Sequence, residues 1–509
     1  MTEDFLRYND WPLVLATARD EQWTNLLLSC CPLETNPELL NLLGQCHSLN
    51  SLGLFQCKLT EVPTVLRQLP LKVLSLSCNN LRQLPDWLIE LPLVELSLFG
   101  CPHVELPANF DQSSIEILDL SSNEMTELPA IVRRMPKLKQ LLLRENHFQS
   151  IPRLIADTAI ERLDLAENPI RDFRLLPATR LRILNLSNTG LTMLPIELRQ
   201  HPLQELDLSR LDDLHIPPWF AELSSLRILN LFYSNFSEPE LHLPTNLAAV
   251  WMQHCNLTSI PQAIQSNPQL RSLNLSENNF ADAELVVNGP CEFINLSESS
   301  LGELILADHA LSSLKSLDLQ MANVKQVRNL AKCRNLGGLR CVDAYLLAMP
   351  TTPEWLKSLR YLWLNGDFSN EHIPSWFWQL EQLQSLHLQS PDWTLLDPRI
   401  GQLSELQDLS IYSTRFEHVP ISLLQLTKLH RLQLHLADPS HFNWLASLPA
   451  LHELGSYPYG QKPPLAIQAR AADADFRYHN QFAESNDDDG LYPHADLAWL
   501  DRYFPQNDR

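Results

Sequence analysis

Residues 71–85 read LKVLSLSCNNLRQLP, and the same frame returns at 115 as IEILDLSSNEMTELP, at 138 as LKQLLLRENHFQSIP and at 181 as LRILNLSNTGLTMLP. The four fit L-x-x-L-x-L-x-x-N-x-L-x-x-L-P, with other apolar residues at some leucine positions and Thr189 in place of the asparagine in the last. A period of this length constrains the fold more than any other feature of the chain. One unit cannot bury its own leucines, so it must stack on neighbours of the same kind. Starting at Leu49, successive units begin at 71, 93, 115, 138, 160, 181, 203, 226, 247, 270, 291, 314, 336, 359, 383, 406, 429 and 451. These nineteen units are spaced 21 to 24 residues apart.

In L-x-x-L-x-L the alternation around the last two leucines predicts a short strand with one face buried. A residue at the ninth position can bond backbone where the chain turns out of the strand. Asn79, Asn123, Asn146, Asn168 and Asn278 stand there, with Cys57, Cys101 and Cys255 as the small alternative. The L-x-x-L-P step then turns the chain to the outer side, and its proline starts a short helical or extended segment. This pattern resembles the leucine-rich repeat superfamily, in its intracellular or bacterial-type form with the L-P step, over residues 49 to about 458. The resemblance implies an α/β solenoid, a horseshoe of about nineteen repeats with a parallel β-sheet on the concave face. Short helical, 3-10 or extended segments are then expected on the convex side, with terminal caps. At ~4.8 Å per strand the inner arc is roughly 85 Å, which accommodates a whole protein partner.

The flanks break the period. Residues 1–48 read as short helices forming an N-terminal cap, 49–458 as the repeat array, and 459–509 as a C-terminal cap or partly irregular tail. Capping is expected because an open end exposes leucines and a strand edge. Within the tail, SYPYGQKPP suggests a linker and HADLAWLDRYF has helix spacing. Units 11 to 13 are less regular, and NVKQVRNLAKC is expected to form a fuller helix on the outer side.

The formal charge of −22 disfavours nucleic-acid phosphate and anionic lipid, and favours a basic protein partner. Residues 1–48 carry seven acids against two bases, and the last forty-five residues nine against four. The start, MTEDFLRYNDWPLVL, lacks the basic region of a secretory signal, and no apolar run reaches the ~18–20 residues of a membrane span. Ten cysteines without framework spacing suit a reducing cytoplasm, although specialised secretion stays compatible with the sequence. The N-L-S and N-L-T triplets are by-products of the repeat.

No phosphate loop, Gly-rich dinucleotide turn, H-E-x-x-H, C-x-x-C or nucleophile elbow occurs, so no enzyme and no cofactor is expected. Three fragments still need weighing. Cys341-Val342-Asp343 matches the C-x-D motif of ubiquitin-ligase effectors, but Cys341 falls on an inward sixth position and reads as a core residue. SNDDDGLYPHAD at 485–496 lacks the first and last ligands of a calcium loop and is broken by Pro493, so it reads as a solvated acidic turn. His430 and His452 share a column of adjacent strands, with His387 and His435 nearby; metal binding would need several to converge. They read better as polar contacts.

With positions 1, 4 and 6 pointing inward, positions 3 and 5 lie on the concave strand face, with 7 and 8 at its edge. These columns hold an acidic tract of Asp119, Asp164, Glu167 and Asp207, with Arg144 and Arg210 among them. Aromatics there expose apolar area that a solvated strand does not need. Phe232, Tyr233 and Trp251, with His254, form one candidate cluster. Tyr361, Trp363, His387 and Tyr412, with His435, form another, and Trp363 is the foremost candidate contact. Packing of these rings on each other along the ladder is the alternative.

The expected function is a non-enzymatic protein-binding scaffold or an inhibitor or immunity-type protein engaging one protein through the concave face. Its alternative is a bacterial effector that captures host proteins with the same face. An enzyme with its site in the C-terminal tail is a third reading, disfavoured by the tail's length.

Overall fold

A computed structural model of the chain describes residues 10–152, 159–171, 180–237, 240–342, 353–366, 373–390, 396–416, 418–436, 439–457, 466 and 477–479. The chain divides into two compact units, residues 1–244 and 245–509.

In the first unit the strands Asn25–Ser29, Ser51–Phe55, Val73–Ser75, Glu95–Ser97, Ile117–Asp119, Gln140–Leu142, Arg162–Asp164, Ile183–Asn185, Glu205–Asp207 and Ile228–Asn230 follow one another in a parallel sheet. Ser51–Phe55 spans positions 3 to 7 of its repeat, and each strand after it falls on positions 3 to 5. The inward leucines are sealed: Leu71, Leu74 and Leu76 have no exposed surface, nor do Leu138, Leu141 and Leu143. Each such side chain stabilises the stack by about 1.5–3 kcal/mol through removal from water.

The ninth-position asparagines form an interior ladder. Asn146 Nδ2 donates to the carbonyls of Leu120, Leu143 and Arg144, while its Oδ1 accepts from the amides of Asn123 and Met125. Asn168 likewise donates to Leu143, Leu165 and Ala166 and accepts from Phe148. Just before this residue the eighth position takes a left-handed backbone, seen at Glu145, Glu167 and Arg210. The turn needs that geometry, and the buried asparagine satisfies the backbone groups the turn leaves over. The L-P step behaves as its proline dictates. Pro63, Pro85, Pro107, Pro129 and Pro195 each open a short 3-10 turn that buries apolar side chains: Leu66, Leu88, Phe110, Ile131 with Val132, and Leu198.

The strand Asn25–Ser29 lies inside the segment read from sequence as a helical cap. It pairs in parallel with Ser51–Phe55, Leu26 opposite Leu52 and Leu28 opposite Leu54. A further repeat therefore begins at Trp23, with Cys31 at its ninth position and Leu33 at its eleventh. Helices Trp11–Asp20 and Pro37–Gly44 flank it, each opened by a side-chain cap, Asp10 and Asn36, followed by proline.

In the second unit the strands Ala249–Trp251, Ser272–Asn274, Phe293–Asn295, Ser316–Asp318, Gly338–Val342, Tyr361–Asn365, Ser385–Ser390, Asp408–Phe416, Arg431–Leu436, Glu453–Tyr457 and Arg477–His479 form a parallel sheet in chain order. Two expectations fail here. NVKQVRNLAKC is not a fuller helix: Asn323–Arg328 is a strand, followed by a single 3-10 turn at Leu330–Lys332. It joins Glu284–Val287 and Ser300–Leu306 in a second, three-stranded parallel sheet. Units 11 to 13 lack the L-P step, so nothing turns the chain into a 3-10 segment, and β-branched or leucine-rich runs continue extended. Gly302 is required there, because a Cβ would lie 2.4 Å from the Asp282 carbonyl oxygen. The period also does not stop at 458: Arg477–His479 adds a strand beside Glu453–Tyr457. Most of 459–509, including SNDDDGLYPHAD and HADLAWLDRYF, lies outside the described residues.

From Gly338–Val342 to Glu453–Tyr457 the strands lengthen to five to nine residues. The ninth position there is Asp367, Pro391 and Thr414 instead of asparagine. Without the asparagine and its left-handed predecessor, the chain leaves the sheet later. Among the described residues no helix is long and apolar enough to cross a membrane.

Candidate functional site

The strand faces carrying positions 3 and 5 differ in chemistry between the two units. In the first unit the fifth position from 119 to 230 is Asp or Asn except at Leu142, and its side chain works for the fold. Oδ1 of Asp119, Asp164, Asn185, Asp207 and Asn230 accepts the amide two residues on, those of Ser121, Ala166, Ser187, Ser209 and Phe232, at 2.9 to 3.0 Å. Their outer atoms bond along the ladder: Asn185 Nδ2 donates to Asp164 and Asn230 Nδ2 to Asp207, at 3.2 and 3.0 Å. Acid alternates with amide, so no two carboxylates face each other on adjacent rungs from 164 to 230. Glu167 accepts from Arg144 at the edge. The acidic tract therefore has an internal structural duty.

Burial raises the carboxyls of Asp164 and Asp207 above the usual range, against the hydrogen bonds that favour their ionised form. The sign follows from linkage. A raised folded-state pKa means the ionised group is penalised in the fold, and that penalty is relieved as pH falls through it. Glu34 and Asp397 run the other way. Glu34 is lowered by the Thr60 amide and Asp397 by the Arg399 guanidinium, so what they contribute is lost on acidification. Carboxyl-carbon NMR titration is expected to place Asp164 and Asp207 above Glu34 and Asp397; the reverse order contradicts the burial argument.

The second unit begins with Trp251 at the fifth position and then has the Asx arrangement at Asn274, Asn295 and Asp318, which accept the amides of Ser276, Ser297 and Gln320. The next fifth positions are Arg340, Trp363 and His387, placed opposite one another by the strand register. Arg340 is 7% exposed, and its guanidinium lies 3.5 Å from the carboxylate of Asp318, itself 2% exposed. The guanidinium carbon stands 4.8 Å from the Trp363 ring centre and 5.7 Å from that of Tyr361. Arg340 Nε also donates to the Tyr361 hydroxyl at 3.3 Å. On the other side of Trp363 the His387 ring stacks at 5.6 Å and 28°, and the Ser385 hydroxyl is 2.9 Å from His387 Nε2. Burial pushes the Tyr361 hydroxyl up to about 12, even with Arg340 beside it.

Trp363 thus lies opposite the inward Leu362 and Leu364, as its position in the repeat dictates. It is half-buried, held between a guanidinium and an imidazole, and its enclosed Nε1 has no hydrogen-bond partner among the described residues. Packing along the ladder has occurred without hiding the ring. Tyr412 is half-buried two strands on and donates to Gln433 Oε1 at 3.1 Å, an oxygen that Ser410 also reaches. His435 is half-buried on the following strand. Sequence reading missed Asp318 and Arg340, which anchor the group. An arginine at a fifth position, just before Trp363 in register, was the available signal.

The other candidates divide between the units. Phe232 and Tyr233 pack edge-on at 4.9 Å in the first unit, with the Arg210 guanidinium 5.9 Å from the Phe232 ring. Tyr233 is 47% exposed and takes the left-handed turn conformation. In the second unit Trp251 is half-buried on its strand, and His254 Nδ1 is 2.7 Å from Glu277, which Gln253 also holds. Cys341 is buried, at 1% exposure. The His430 and His452 rings stack at 5.8 Å, and among the described residues no three His, Cys, Asp or Glu side chains converge as metal ligands.

No family model matches the chain. It is 28% identical over 242 residues to the human volume-regulated anion channel subunit LRRC8A, a match that covers 45% of the chain and only 30% of that relative. Among solved structures, the functional domain of InlJ from Listeria monocytogenes aligns with a TM-score of 0.50 at 19% identity, over 69% of this chain and 75% of that one. A leucine-rich repeat protein of Leptospira interrogans aligns with a TM-score of 0.41 at 23% identity, over 85% of this chain and 96% of that one.

Proposed function

Because the chain has the leucine-rich repeat fold, we propose that it is a non-enzymatic protein-binding module whose docking face is the strand face around Trp363 in the second unit. One observation carries this reading. The three fifth-position side chains just before them, Asn274, Asn295 and Asp318, cap their own turns, whereas Arg340, Trp363 and His387 stand on strands that run on and need no such cap. Large aromatic and cationic side chains at these places serve no turn. Half-buried Trp and Tyr beside Arg is the composition of protein-binding hot spots. Stacking fixes the Trp363 ring before a partner arrives, so less side-chain entropy is lost on binding.

The formal charge of −22 favours a basic partner, with association that weakens as salt rises. Affinity capture with wild type, Trp363→Ala/Tyr412→Ala and Ile421→Ala tests the face, Ile421 being a 68% exposed control. The double variant is expected to recover the partner at least about tenfold less well than either other protein. Equal recovery by all three, with unchanged melting, removes this face from consideration.

A further inference from the structure

The strand Asn25–Ser29 is paired on one side only among the described residues. In a parallel ladder successive residues bond alternately to the two neighbouring strands. Thr24 O accepts from the amides of Asn50 and Ser51, and the Cys30 amide donates to Phe55 O. Leu26 and Leu28 therefore bond inward, and the amides and carbonyls of Asn25, Leu27 and Ser29 point away from the sheet. None of these six groups has a hydrogen-bond partner among the described residues. The three residues are exposed, Leu27 at 57%, and its side chain lies over Gly53, where a Cβ would meet it at 2.5 Å.

Proteins blunt such edges with lysine, proline, a bulge or a covering segment. NLLLS has no charge and no proline, and its register with Ser51–Phe55 runs unbroken over five residues. Charge selects the occupant. Residues 1–48 carry seven acids against two bases, so a second copy brings the same excess and is repelled. We propose that this edge takes an extended segment of another protein as an added parallel or antiparallel strand, apolar at its centre and flanked by lysine or arginine. Main-chain bonds to Asn25, Leu27 and Ser29 hold it, an apolar side chain covers Leu27, and the basic ends meet the acidic surroundings. This edge belongs to the first unit, whereas Trp363 belongs to the second.

The probe is the peptide Lys-Lys-Thr-Val-Leu-Val-Thr-Lys-Lys, titrated against the full chain by calorimetry and amide hydrogen exchange. Binding is expected to slow exchange at the amides of Asn25, Leu27 and Ser29 by tenfold or more. Glutamate-ended or backbone N-methylated peptides, and the Leu27→Lys chain with the original peptide, are each expected to bind at least tenfold more weakly. The proposal is overturned if the lysine-ended peptide does not bind, or if the N-methylated one binds equally. It is also overturned if these amides are already protected in the chain alone, or become protected with chain concentration, which would assign the edge to the chain itself or to a second copy.

Discussion

Replacing Asn146 by leucine is expected to destabilise the first unit by about 4–6 kcal/mol, although the volumes are similar and leucine suits the core. Asn146 bonds five backbone groups, three carbonyls and two amides, in a place with 2% exposure. Water cannot reach groups left behind there, and each buried orphan costs roughly 1 kcal/mol or more. Asn146→Cys should cost about half as much, because the fold already uses cysteine at this position: Cys101 Sγ donates to the Leu76 carbonyl at 3.1 Å. Equilibrium unfolding in urea checks both, with hydrogen exchange at Asn123, Met125 and Phe148 locating the damage. A cost of Asn146→Leu below about 1 kcal/mol would show that the turn does not depend on the asparagine.

The same rung explains what could be read from sequence. Leucines at three spacings, asparagine at the ninth position and proline after the L-x-x-L step each act through local physics, so the sheet was legible from Leu49 onward, and the outer turns wherever the L-P step is present. The unit at Trp23 was hidden because its first position is tryptophan and its asparagine is replaced by Cys31, leaving two helices as the stronger local signal. Asn323–Arg328 was misread because helix and strand share spacings over so few residues. What settled it was a neighbour: Val324 pairs with Leu301, far away in sequence. The candidate face was legible in outline, since alternation alone puts Trp363 opposite Leu362. The duty of Asp164 and Asp207 was not. Whether a carboxylate is offered to a partner or caps an amide two residues on depends on rung-to-rung geometry, and spacing carries no trace of it.

Arg340 is where stability and the proposed docking role meet, and mutation separates the two. Arg340→Met is expected to cost about 3–5 kcal/mol, because it removes the counter-charge from a carboxylate whose side chain is 3% exposed. Asp318→Asn alone should cost less, since asparagine performs the same amide cap at Asn274 and Asn295. The double variant Asp318→Asn/Arg340→Met then loses both charges together, and a well-packed neutral pair at such a site is often no less stable than the ion pair. It is expected to recover most of the loss, measured as a positive coupling of roughly 2–3 kcal/mol in a double-mutant cycle. Strict additivity would mean that the 3.5 Å pair contributes nothing. The neutral pair also removes the cation from the face of Trp363, an interaction of about 1–2 kcal/mol when desolvated. If Arg340 fixes the indole for a partner, this stable double variant should still capture that partner more weakly than wild type. Arg340→Lys should give an intermediate result, because an ammonium keeps the charge but cannot lie flat between Tyr361 and Trp363. A double variant that is stable and binds as wild type would confine Arg340 to the fold.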